Sequence, residues 1–207
     1  MSRLVLILAR SGTGKSTALR NFKKGEAQAI LCSGKELPFP TDIATFVPKG
    51  YAEVQAAIQK ASLPVVVLDD VNYLMSMEEM SMAQVKGYEK FSVMALNMYN
   101  VFKSIMDKDT DQTFYLLAHS AELSETDSQL RFKTTGKMLS EKIVLEGLTN
   151  IVISADVIDG DFVFKVKTDG TGIKTPIGMF TTPTVPNDLK EVDKIITAYY
   201  KPAKETK

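Results

Sequence analysis

A lysine and a hydroxyl directly after a glycine, two acids closing an aliphatic run and a histidine closing another are residue types that handle phosphate and a divalent cation. The first group stands in Ala9-Arg10-Ser11-Gly12-Thr13-Gly14-Lys15-Ser16-Thr17. Its spacing follows the phosphate-loop pattern G-x-x-x-x-G-K-[ST], with Ala9 in the position of the first glycine. Backbone N–H groups of Ser11 to Lys15 are expected to wrap a β-phosphate, the Lys15 ammonium to reach the β and γ oxygens, and the Ser16 hydroxyl to ligate Mg²⁺. Arg10 and Thr17 flank these contacts, and Thr17 is expected to continue into a helix whose dipole favours the anion. The first glycine mainly eases the turn leaving a strand, so the small Ala9 is a workable substitute. Gly12 and Gly14 stand where backbone must approach phosphate. The bland alternative is an ordinary Gly-Ser turn between strand and helix.

The acids come at the end of Leu63-Pro64-Val65-Val66-Val67-Leu68-Asp69-Asp70, which reads as a buried parallel strand. Asp69 has the position to hold Mg²⁺ through water beside the Ser16 hydroxyl, and Asp70 could be a supporting acid or the base. Glu36, just beyond a second strand candidate Ala27 to Cys32, could orient and deprotonate an attacking water, or be a solvated loop glutamate. His119, the one histidine of the chain, closes Gln112 to Ala118 and could hydrogen-bond a γ-phosphate or that water. A strand-end histidine satisfied by backbone is the alternative. Arg131, Lys133 and Lys137 surround Phe132, pairing phosphate-seeking charge with a ring able to stack on a base, which suits single-stranded DNA; a solvated charged loop would look the same. Lys165, Lys167 and Lys174 could reach phosphates of a neighbouring subunit's nucleotide, or blunt an exposed edge strand.

The 207 residues suffice for one sizeable α/β domain, expected over 1–200 with a polar tail at 201–207. Basic and acidic residues balance at 25 each, so any nucleic-acid contact must come from a local patch. Cys32 is the single cysteine, which excludes an intramolecular disulfide and points to the cytoplasm; a buried strand thiol is expected there. No apolar run approaches the length of a membrane span.

To position these groups the chain must lay parallel strands side by side with their carboxyl ends together. The pattern predicts strand Leu4 to Ala9, a helix Lys15 to Phe22, strand Ala27 to Cys32, an irregular connection Leu37 to Gly50 with three prolines, and helix Tyr51 to Gln59. Met75, Met77, Met80 and Met82 read as a linker before a helix from about Gln84 to Met106, which is followed by the Gln112 to Ala118 strand and a loop Ala121 to Gly136 holding Glu122, Glu125 and Asp127. A helix is expected over Met138 to Leu148, a strand over Asn150 to Ala155, and an antiparallel hairpin over Val157 to Thr168 turning near Asp159-Gly160-Asp161. Pro186-Asn187-Asp188-Leu189 caps a last helix ending near Tyr200.

Across nearly its whole length the sequence resembles the RecA-like P-loop ATPases that bacteriophages carry in their recombination modules, proteins grouped with the single-strand annealing recombinases. The matching segments are Ser11 to Thr17, Asp69-Asp70, Ala118-His119-Ser120, Thr135-Gly136-Lys137, Lys174-Thr175-Pro176-Ile177-Gly178-Met179-Phe180, and Pro186-Asn187-Asp188-Leu189 before Tyr199-Tyr200. The resemblance implies a P-loop NTPase of RecA-like α/β fold, a mostly parallel sheet flanked by helices with an added antiparallel hairpin near the C-terminus. It implies a Mg²⁺-dependent, DNA-stimulated ATPase that binds single-stranded DNA and promotes annealing or strand exchange in the cytoplasm of a bacterial host. Self-assembly into a ring or filament and work alongside a single-strand-binding protein are also implied. In such an assembly Lys174 becomes the trans-acting cation, Glu36 the base and the loop from Ser120 to Gly136 the DNA contact. Two other readings remain open. A small-molecule kinase shares the loop and sheet, but needs a lid of several arginines, and the chain has only Arg3, Arg10, Arg20 and Arg131. A nucleotide-dependent interaction switch with little hydrolysis is the other.

Overall fold

The computed structural model describes residues 2–121, 129–168 and 170–201. The elements run β1 (Arg3–Ala9), a 3-10 turn Ser16–Leu19, β2 (Ala27–Leu31), β3 (Ala44–Phe46), α1 (Tyr51–Lys60), β4 (Val65–Asp69), α2 (Asn72–Ser81) and α3 (Glu89–Met106). They continue with β5 (Thr113–Ala121), β6 (Arg131–Phe132), a π-helical turn Met138–Ile143, a 3-10 turn Leu145–Leu148, β7 (Ile151–Ile158), β8 (Asp161–Lys165), β9 (Thr184–Pro186) and α4 (Leu189–Tyr200). The sheet order is β3-β2-β4-β5-β1-β7-β8-β9. Strands from β3 to β7 are mutually parallel, β7-β8-β9 is antiparallel, and β6 adds antiparallel to the end of β5. The fold is therefore α/β, a mostly parallel mixed sheet flanked by helices with an antiparallel hairpin.

Parallel strands covered on both faces are apolar throughout, and alternate residues feed opposite layers. Leu6 and Leu8 of β1, with Val66 and Leu68 of β4 and Phe114 and Leu116 of β5, pack against Val54 and Ile58 of α1 and Met94, Met98, Phe102 and Ile105 of α3. Val5 and Ile7, with Val67, Tyr115 and Ile153, meet Leu19, Phe22 and the Leu189, Val192, Ile196 face of α4. The α4 start is secured by Asp188, whose side chain accepts from the N–H groups of Lys190 and Glu191.

Several boundaries differ from the sequence expectation for identifiable reasons. The helix expected over Lys15 to Phe22 is only the 3-10 turn, because Leu19 and Phe22 must enter the core at three-residue spacing, with the Phe22 N–H donating to the Leu19 carbonyl at 3.1 Å. The methionine-rich stretch is not a linker: Val71, Leu74 and Met75 are buried at helical spacing and start α2, leaving Met77 and Met80 outside. The helix expected over Met138 to Leu148 breaks at Val144, whose φ of 46° lies in the left-handed region. The proline-rich connection contains β3, paired to β2. The hairpin's first arm is the far half of β7 itself, and its turn uses left-handed Asp159 (φ 53°) and Gly160 (φ 88°). Cys32 is buried, and burial pushes its thiol well above its ordinary pKa. Residues 122–128 and 202–207 lie outside the described set, and with them Glu122, Glu125, Asp127 and nearly all of the expected tail. Among the described residues no helix is long and apolar enough to cross a membrane.

Candidate functional site

The register brings the chemistry-bearing strand ends to one level. Ala9 pairs with His119 on β5 and with Ala155 on β7, and Leu31 of β2 pairs with Asp69. Because β5 lies between β1 and β4, His119 falls between the glycine loop and the acids.

Ala9 is the last residue of β1 and is buried, so its methyl belongs to the core and the loop begins after it. Arg10 is exposed; its carbonyl accepts from Thr13 Oγ1 at 2.9 Å and from Lys15 Nζ at 3.1 Å, which closes the loop on itself. Gly14 has φ 85°, and a Cβ there would come within 2.9 Å of the Phe162 ring and 3.3 Å of the Asn187 amide, so both conformation and space demand glycine. Lys15 is only 6% exposed, and burial lowers its pKa while Asp70 and Asp69 pull it back.

Ser16 Oγ donates to Asp69 Oδ1 at 3.0 Å. Asp69 is buried, and burial pushes its carboxyl up to about 6, with the Ser16 hydrogen bond opposing. Asp70 has φ 55°, a left-handed conformation costing on the order of 1 kcal/mol that turns the chain directly from β4 into α2. Its Oδ1 stands 3.3 Å from His119 Nε2. Burial first, then the Lys15 charge, lower the His119 pKa, so the ring is neutral at pH 7.

Around this pair the structure adds residues that the sequence did not single out. Asn72, buried at the first position of α2, accepts from the His119 backbone N–H at 2.5 Å and donates to the Lys133 carbonyl at 2.6 Å. The Lys133 N–H donates to the His119 carbonyl at 3.0 Å, so β6 is tied to the end of β5 beside the acids. A cavity of about 210 Å³ is lined by Ser11, Gly12, Gly14, Lys15, Ser16 and Thr17 on one wall and by Lys35, Pro38, Asp70, Tyr73 and His119 on the other. An Asn following Asp-Asp-Val at a helix start was the only sequence signal for Asn72. Lys35 stands in the Ser33-Gly34-Lys35-Glu36 run after the second strand, on the side where ligands collect, but carried no assigned role, and no signal pointed to Tyr73.

Two expected placements change. Glu36 is exposed and does not line the cavity: the tight turn after β2, with the Gly34 N–H on the Leu31 carbonyl at 3.1 Å and φ 75°, brings Lys35 there instead. Phe132 is buried, set edge-on against Phe102 with centroids 6.0 Å apart, so it offers no face to a nucleobase. Lys174, expected to act on a neighbouring subunit's nucleotide, bridges Val152 of β7, whose partner on β1 is Leu6. The remaining cations are peripheral: Arg131 donates to Gln129 Oε1 at 2.6 Å, Lys133 is exposed, and Lys137 stands 3.7 Å from Glu141.

Ser16 and Asp69 form a hard, oxygen-only donor pair, the kind Mg²⁺ takes when waters and phosphates complete its shell. Among the described residues no cluster of three or more His, Cys, Asp or Glu side chains could hold a metal by itself. No protein-family model matches the chain, and no curated protein matches it.

Proposed function

We propose that this chain binds ATP with Mg²⁺ at the glycine loop and hydrolyses it, as a RecA-like P-loop ATPase that acts on single-stranded DNA. The observation that carries the nucleotide reading is the Ser16 Oγ to Asp69 Oδ1 contact of 3.0 Å beside the buried Lys15. It joins two segments far apart in sequence where a loop that can wrap phosphate meets a buried acid.

In this reading the backbone of Arg10 to Thr17 holds the inner phosphates, and Lys15 neutralises the bridging oxygens. Mg²⁺, held by Ser16 directly and Asp69 through water, would supply charge neutralisation on the phosphates. Asp70 accepts a proton from water as the water oxygen bonds to the γ-phosphorus. The bond from that phosphorus to the β,γ-bridging oxygen breaks, its electron pair leaving with ADP. His119, neutral and 3.3 Å from Asp70, orients that carboxylate. Asp70 is preferred over Glu36 as the base because it lines the cavity.

Arg131, Lys133 and Lys137 contact DNA phosphates by charge, without a stacking ring, and the Asn72 and His119 hydrogen bonds to Lys133 link them to the nucleotide cavity. Annealing or strand exchange, assembly into a ring or filament with Lys174 acting on a neighbour's nucleotide, a single-strand-binding partner, and a phage protein's place in the bacterial cytoplasm rest on the family resemblance. The test is ATP hydrolysis by the purified protein with Mg²⁺, with and without single-stranded DNA, at low and moderate salt. Turnover that DNA raises, less so at moderate salt, is expected. Turnover indifferent to DNA overturns the DNA assignment, and absence of ATP binding overturns the whole reading.

A further inference from the structure

We propose that Lys35 reads the terminal phosphate of the nucleotide in cis, so that one subunit alone tells a nucleoside triphosphate from a diphosphate. This rests on the cavity being the phosphate site. The loop and Lys15 form one wall, which suffices for the inner phosphates. A third phosphate extends toward the other wall, where Asp70 presents a carboxylate and Lys35 is the one cationic side chain among that wall's described residues. Lys35 adds a cation on that side to Lys15 and the metal, offsetting the repulsion between the extra charge of a triphosphate and Asp70.

Lys35 is held ready for that contact by a weak seat. Its Nζ lies 5.1 Å from the centroid of the Tyr73 ring, and that ring stands edge-on to His119 at 5.9 Å. A cation over an aromatic face at an exposed position is readily exchanged for a charge-assisted bond to phosphate. The Lys35 charge already reaches the site, where it helps lower the pKa of both Lys15 and His119. Leaving Tyr73 for the phosphate would free the edge of the ring against His119, so the presence of the outer phosphate is felt at the Asp70–His119 pair.

The experiment measures Kd for ADP and for a non-hydrolysable ATP analogue, with Mg²⁺, for the wild type and for Lys35→Met, Lys35→Arg and Lys15→Ala. Lys35 is exposed, so Met at this position leaves the core intact. Lys35→Met is expected to weaken the triphosphate analogue by about tenfold while ADP stays within about twofold, and Lys35→Arg to restore the preference. Equal effects on the two nucleotides, or none, overturn the inference. Lys15→Ala should lose both nucleotides. If it binds both as the wild type does, the phosphate reading itself is wrong and Lys35 falls with it, an outcome distinct from failure of Lys35 alone.

Discussion

The two walls of the cavity at the glycine loop are built by different physics. On the loop side, Lys15 is held by the Arg10 carbonyl and Ser16 by the buried Asp69 carboxylate behind the wall, and Gly14 is packed against Phe162 and Asn187. On the opposite side, Lys35 rests on Tyr73, His119 is part-exposed, and the cations beyond β6 are peripheral. Buried polar contacts are costly to break, because an orphaned group keeps its full desolvation penalty, whereas exposed cation contacts exchange with water at little cost. The first wall is thus preformed, and the second is the one able to change with the ligand.

The sharpest way to break this contrast is Phe132, which belongs to the second side by sequence but is buried in the core beside Phe102. Phe132→Ala should cost about 3–5 kcal/mol in denaturant unfolding, the loss of a large buried ring. Phe132→Leu should keep most of that stability and the wild-type affinity for single-stranded DNA; weakened affinity with stability intact would return the ring to a stacking role. Asp69 tests the preformed wall. Its carboxyl, pushed up to about 6 from an ordinary 3.8, binds a proton more tightly folded than unfolded, so its contribution to stability is present below pH 3.8 and lost as pH rises past about 6. Asp69→Asn should therefore stabilise the nucleotide-free protein by about 3 kcal/mol at pH 7.5, with the advantage closing as pH falls through 6 toward 4. Melting curves across pH check it, and a destabilised variant at pH 7.5 would mean the carboxylate is held by more than Ser16. The smallest effect is expected at the periphery: Arg131→Ala with Lys133→Ala should leave the melting temperature unchanged and flatten the salt dependence of DNA binding by roughly 0.7 in slope for each phosphate no longer neutralised. An unchanged slope would remove these residues from the DNA interface.

The same contrast explains what could be read beforehand. Parallel strands sandwiched between helices must be apolar along their length, so β1, β4 and β5 announce themselves; Lys15 follows from the spacing of the glycine loop after β1, and Asp69, Asp70 and His119 from their places at the carboxyl ends of β4 and β5. Asn72, Lys35 and Tyr73 reach the site through turn geometry, the left-handed Asp70 and the Gly34 turn, for which no periodic pattern exists. Phe132 lies on a two-residue strand, too short to alternate, and its burial is decided by Phe102 in a distant helix. The α2 helix was obscured by composition: methionines and serines suggest a loose segment, although the Val71, Leu74, Met75 spacing is helical.

The packing of Phe162 and Asn187 against Gly14 bears on when the loop can take its shape. The strand that leads into the loop has β5 and β7 as its neighbours, and Gly14 lies against a ring and an amide from residues 162 and 187. Local contacts alone cannot shape it, and closure waits on long-range pairing. A fragment lacking residues 162 and 187 would leave the Gly14 surface uncovered.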